Sequence, residues 1–230
     1  MRRQPGLVGT PSRIVVADDH ALIREALTRT IDEQPDLEAI GEATDGLEAL
    51  ELCRRFQPEL VLMDVLMPRM DGLEATRQIK REFPRIIVLV LTAVEDPDYL
   101  SKALEAGAAG YVQKGATTQE TIGAVRKVLE GESSIDEKLA TQLLKRLMED
   151  PKPEPNGRAK GKSLRGLLSA REREVLGLVA RGYTNQQIAR SLLISVSTVK
   201  KHVRSAICKL GVSDRTQAAV RAVELGVLER

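Results

Sequence analysis

Between residues 13 and 130, short apolar runs alternate with stretches of helical periodicity. The runs occupy residues 14–17, 37–43, 60–63, 86–91 and 110–113. Between and after them, Leu22, Ile23, Ala26, Leu27 and Ile31 mark one helix face, and Leu47, Leu50 and residues 52–56 mark a second. Leu73, Ile79 and Phe83 mark a third, Leu100, Ala103 and Leu104 a fourth, and Ile122, Val125 and Leu129 a fifth. Apolar positions three and four apart lie on one side of a helix, whereas runs of this length suit strands buried on both faces. The pattern predicts five βα units. Right-handed crossovers would bury their parallel strands between two helical layers.

The polar residues that close these runs change the picture. Asp18 and Asp19 follow the first run, Asp64 the third, Thr92 the fourth and Lys114 the fifth. Each strand thus hands a polar group to the carboxyl edge of the sheet, where open α/β sheets bind ligands. Clustered carboxylates raise one another's pKa unless a cation or lysine joins them, and hard oxygens of this kind suit Mg2+. Lys114 and Thr92 could then hold phosphoryl oxygens, and a carboxylate can itself attack phosphorus to give an acyl phosphate. Helix capping is the simpler reading of any one of these aspartates. It does not account for four strand ends together.

The back of the chain is different. Residues 150–163 hold three prolines, two glycines and no large apolar side chain, the composition of a linker. Their Gly157-to-Ser163 end has three residues between its glycines where a phosphate-binding loop needs four, and no strand precedes it. Ahead of the linker, Ile135, Leu139, Leu143 and Leu147 predict an amphipathic helix that could pack on a domain or pair with its copy. Lys and Arg number 16 against 22 Asp and Glu in residues 1–130, 7 against 6 in 131–163, and 12 against 5 in 164–230. A basic final segment points to a polyanionic partner.

Ser169 with Glu172 and Thr184 with Gln187 are capping-box pairs, so helices should begin near Ala170 and Asn185. Ser195 can cap a third helix, and Ser213 or Asp214 a fourth. In the third, Val199, Val203, Ile207 and Leu210 form an apolar stripe that leaves Ser197, Lys200, Lys201 and Arg204 facing outward. A turn at residues 193–195 separates it from the preceding helix, as in a helix-turn-helix. Cations and a hydroxyl on that face suit phosphates and base edges in the major groove.

Two further features narrow the class. No apolar stretch approaches the length of a membrane span, and residues 1–11 lack the apolar core of a signal peptide, so a cytoplasmic protein without membrane contact is expected. Cys53 and Cys208 belong to no CxxC pattern and read as buried or half-buried side chains.

Asp18-Asp19, Asp64 with Met67-Pro68 and Asp71-Gly72, Leu91-Thr92-Ala93, and residues 107–114 (GAAGYVQK) resemble the receiver domain of bacterial response regulators. Residues 171–176 (REREVL), 185–189 (NQQIA), 197–203 (STVKKHV) and 209–212 (KLGV) resemble the LuxR-type DNA-binding domain, with Ala170 where that family usually has proline. Together they resemble a regulator of the NarL/FixJ type: a flavodoxin-like α/β receiver at 13–130, a linker region at 131–163 and an all-α helix-turn-helix domain at 164–230.

The resemblance implies a two-component transcriptional regulator rather than an enzyme. Asp64 would take a phosphoryl group from a sensor histidine kinase, and Asp19, Asp64 and the Leu66 carbonyl would hold Mg2+, with Asp18 acting through water. Thr92 and Lys114 would meet the phosphoryl oxygens and Tyr111 would turn inward. Lys200, Lys201 and Arg204 would be the main contacts to double-stranded DNA, helped by Ser197, Thr198 and His202, with Thr184 and Asn185 on phosphates. The last helix, from Asp214 to Leu225, would join a homodimer, and RNA polymerase is a candidate partner. An atypical regulator that never takes phosphate is one alternative. A Mg2+-dependent phosphohydrolase is another, though it would want a D-x-D motif where the first run ends in Asp18-Asp19-His20.

Overall fold

The computed structural model describes residues 10–93, 97–132, 167–212 and 214–224. The chain divides into two compact units, Met1–Leu129 and Glu130–Arg230. The amphipathic helix expected at 135–148 and the linker at 150–163 lie outside the described residues.

The first unit is a five-stranded parallel sheet of β1 (Ser12–Ala17), β2 (Leu37–Ala43), β3 (Leu60–Asp64), β4 (Ile87–Thr92) and β5 (Gly110–Gln113), in the order β2-β1-β3-β4-β5. Helices α1 (Ala21–Asp32), α2 (Gly46–Phe56), α3 (Gly72–Glu82), α4 (Pro97–Glu105) and α5 (Thr118–Leu129) connect and follow the strands. Successive strand side chains point to opposite faces, so the alternation within each run feeds two cores. Val15, Ala17, Val61, Met63, Val88 and Val90 pack with Leu50, Cys53, Leu73, Ile79 and Ala103. Ile14, Val16, Leu60, Leu62, Leu89 and Leu91 pack on the other side with Ile31, Ile122, Val125 and Val128.

Two helix faces differ from the expected stripes. Leu22 is 82% exposed and Ala26 is exposed, so α1 meets the sheet through Ile31, with Ile23 and Leu27 half-buried. Leu47 is likewise exposed at the start of α2, where Gly46, Ala49, Leu50 and Cys53 are buried. Leu22 and Leu47 both lie in the first turn of their helices, where solvent reaches them. The cysteine expectation holds only for Cys53, because Cys208 is exposed.

The second unit packs α6 (Ala170–Ala180), α7 (Asn185–Leu192), α8 (Val196–Leu210) and α9 (Arg215–Glu224). The Ser169 and Thr184 side chains close the two capping boxes, and Ser195 accepts from the Thr198 amide. Asp214 takes the fourth start, accepting from the Thr216 and Gln217 amides at 2.9 Å. Val175, Val179, Ile188, Val199, Val203 and Ala219 form one core cluster.

Glu172 ties this unit together from inside. Its carboxylate takes Lys209 Nζ at 2.8 and 2.7 Å, Ser205 Oγ at 2.7 Å and the Ser169 amide at 2.6 Å, which joins α6 to α8. Burial works to raise the Glu172 pKa, but Lys209, Ser205 and Ser169 outweigh it and hold the group at about 2, against 4.5 ordinarily. A depressed acid stabilises the fold fully above its unfolded pKa and loses that contribution as pH falls toward its folded one. The stability of the second unit, followed by urea titration of the full chain, should therefore fall between pH 4.5 and about 2, and Glu172→Gln should flatten that limb.

Gly72 is the tightest point of the first unit. A Cβ there would lie 1.8 Å from the Asp64 carbonyl oxygen, a backbone atom that cannot step aside. Gly72→Ala should cost about 3 kcal/mol or more in the same urea titration.

Candidate phosphoacceptor pocket and nucleic-acid face

Parallel pairing decides which polar side chains meet. The register sets Ala17 beside Met63, Asp64 beside Leu91 and Thr92 beside Gln113, so four strands end at one level. β1 lies between β2 and β3, which places the reversal of strand order beside the ends of β1 and β3. Asp18 and Asp64 are buried there, while Asp19 and His20 are exposed.

Lys114 Nζ donates to Asp64 Oδ2 at 2.7 Å and pairs with Asp18 Oδ2 at 2.9 Å. Burial raises the Asp64 pKa, Lys114 opposes it, and neighbouring Asp18 adds to the rise. Burial works against the Lys114 cation, yet its bonds to the two aspartates leave its pKa raised. The Lys114 amide also donates to the Thr92 carbonyl at 2.8 Å, tying the two strand ends. Thr92 is buried, Tyr111 is half-buried against the core on the α2–α3 side, and Leu66 is 58% exposed. None of Asp18, Asp19 and Asp64 is the cap of α1 or α3, since those places are held by His20 and Asp71.

The donor set suits a hard divalent cation. Asp18, Asp19, His20 and Asp64 each offer a ligand atom, all within 4.8 Å of one another. His20 Nδ1 lies 2.6 Å from Asp19 Oδ1 and its backbone amide donates to Asp18 Oδ1 at 2.9 Å. His20 escaped the motif reading, although its place directly after Asp19 was the available signal.

The loop after Asp64 is pinned from outside the pocket. Leu66 donates its amide to Asp64 Oδ1 at 3.3 Å, and the Gly46 amide donates to the Met70 carbonyl at 3.0 Å. Arg69 sits in the left-handed region at φ 62° and ion-pairs with Asp45, the fully buried cap of α2, and with Glu48 at 2.9 Å. Bonds from Thr44, then Arg69, hold Glu48 at about 2. No sequence motif pointed to Arg69.

On the second unit, Ser197, Lys201 and Arg204 are exposed on α8, and Thr198 and His202 are half-buried beside them. Thr184 is exposed, whereas Asn185 is buried. Lys200 does not stand free as expected. Its Nζ lies 3.0 Å from both Glu130 and Glu132, acids of the same unit, and these bonds raise its pKa. Leu193, in the turn before α8, adopts φ 53° and is 92% exposed.

Residues 14–126 match the family model of the response regulator receiver domain, and residues 166–222 match that of the luxR family of bacterial regulatory proteins. The chain is similar to the transcriptional regulatory protein LiaR of Bacillus subtilis, 40% identical over 91% of this chain and 96% of LiaR. It is similar to the response regulator VraR of Staphylococcus aureus, 36% identical over 94% and 99%. A solved structure of two RcsB dimers bound to two parallel DNAs is 25% identical with a TM-score of 0.52, covering 96% of this chain and 100% of that one. Among the described residues no helix is long and apolar enough to cross a membrane. Two matched domain models and near full-length relatives place this chain in the family of response regulators that join a receiver domain to a LuxR-type DNA-binding domain.

Proposed function

We propose that Asp64 accepts a phosphoryl group from a sensor histidine kinase and that this controls transcription by a dimer on double-stranded DNA. The observation that carries the reading is the contact of Lys114 with Asp64 and Asp18 at the switch point of the sheet. An Asp64 oxygen would attack phosphorus to form an acyl phosphate, and the leaving group would depart on the opposite side. Lys114 meets the incoming phosphoryl oxygens as a point charge. Thr92, on the adjoining strand, offers its hydroxyl to the same oxygens. Asp18, Asp19, Asp64 and the Leu66 carbonyl would hold Mg2+, which supplies positive charge against the phosphoryl group.

Phosphorylation adds about 1.5 to 2 negative charges beside Thr92 and Lys114. Both then shift toward Asp64, and the half-buried Tyr111 follows into the room that opens, which changes the neighbouring surface.

DNA engagement would fall to α8, with Lys201 and Arg204 already exposed and Lys200, Ser197, Thr198 and His202 alongside. Thr184 and Asn185 support phosphates at the start of α7, where the helix dipole favours anions. The dimer known for RcsB on DNA supports a two-fold arrangement here. Ala218, Ala219 and Ala222 of α9 are spent in its own core, and the face that meets a copy would come from the rest of this last helix. RNA polymerase is the partner through which such a regulator would act. Regulation in the cytoplasm fits this chemistry.

Genomic fragments captured by the full chain should be enriched when beryllium fluoride and Mg2+ mimic the phosphoryl group, and Asp64→Asn or chelation of the metal should abolish the enrichment. Equal capture in all conditions would move control away from Asp64 and favour the phosphorylation-independent reading. Because each neutralised phosphate releases counterions, Lys200→Ala should lower the salt slope of DNA affinity by about one.

A further inference from the structure

A single carboxylate oxygen joins the two helices assigned to DNA. Glu132 Oε1 lies 3.0 Å from Lys200 Nζ on α8 and accepts from Asn185 Nδ2, the first residue of α7, at 3.4 Å. Glu130 Oε2 sits on the same ammonium at 3.0 Å.

Beneath them Arg215 is buried, yet its bonds go to neutral oxygens: Nη1 to Asn185 Oδ1 at 3.2 Å and Nη2 to the Tyr183 carbonyl at 2.7 Å. The first of these fixes the Asn185 amide. With its oxygen taken by a guanidinium, Asn185 has only its NH2 to offer outward, and a buried donor needs an acceptor. The backbone amides at the start of α7 and the Arg215 cation set a positive potential at the same place. Lys200, Asn185, the helix start and Arg215 therefore converge on one anion.

We propose that these groups form the seat of one DNA backbone phosphate, and that Glu132 occupies it as a stand-in while Glu130 neutralises Lys200. The proposal rests on the reading of α8 as the DNA face and adds a site and a competitor to it. A phosphate suits the seat better than the carboxylate does, since it brings more charge and additional acceptor oxygens to the same donors. Glu130 and Glu132 are exposed or half-exposed, and ion pairs of that kind are weak enough for DNA to displace. DNA binding would then require the acidic segment to leave, and free duplex competes directly with Glu132.

The test compares full-length variants, without phosphodonor, on a duplex of unselected sequence over a range of salt. Glu132→Gln should tighten binding by about two- to fivefold, the worth of one such pair. Glu174→Gln removes the same charge from the exposed face of α6 and should leave affinity unchanged. Asn185→Asp replaces the outward donor with an acceptor and should erase the gain when combined with Glu132→Gln, at an unchanged melting temperature. Equal affinities for wild type and Glu132→Gln, or equal tightening by Glu174→Gln, would overturn the competitor while Arg204→Ala still weakens binding. If Arg204→Ala and Lys200→Ala both leave affinity untouched, the DNA reading of α8 fails and the phosphate seat with it.

Discussion

Lys114 holds its ammonium 2.7 Å from Asp64 and 2.9 Å from Asp18, and the first unit is organised around that contact. Two carboxylates removed from water repel each other and pay heavily in lost hydration. One half-buried cation offsets both costs, and it can do so only if β1, β3 and β5 end at the same level. The parallel register guarantees this, with each strand advanced by the pairing of its neighbour. The arrangement is chemically poised because the cation that stabilises the pair is also the one a phosphoryl group would attract.

The same economy of charge appears around the loop that follows Asp64. Asp45 caps α2 from a fully buried position, and Arg69 reaches back to it and to Glu48. Gly72 lets the loop pass against the Asp64 carbonyl, where any side chain would collide. These contacts leave the Asp64 carboxylate on a braced segment.

In the second unit the buried charges do structural work and the exposed ones are left for a partner. The Glu172 carboxylate accepts from Lys209 and Ser205 to join α6 to α8 and from the Ser169 amide at the cap of its own helix, while Lys201 and Arg204 lie exposed on α8. Arg215 belongs to neither group. It is buried and donates to the Asn185 side-chain oxygen and the Tyr183 carbonyl, which fixes how the Asn185 amide is turned.

The chain by itself determined the five βα units, the five aspartate, threonine and lysine positions at four strand ends, and the capping boxes at Ser169 and Thr184. Each is a local signal: apolar periodicity within one element, or a hydrogen bond spanning three residues, so neighbouring letters suffice to specify it. Only the tertiary structure decided that Leu22 is left exposed, that Arg69 reaches Asp45, and that Lys200 is engaged by acids. The bond from Lys200 to Glu130 spans 70 residues and that from Asn185 to Glu132 spans 53. Pairings at such separations follow from how helices pack, and an exposed cation on a helix face reads the same in sequence whether a carboxylate lies across from it or water does.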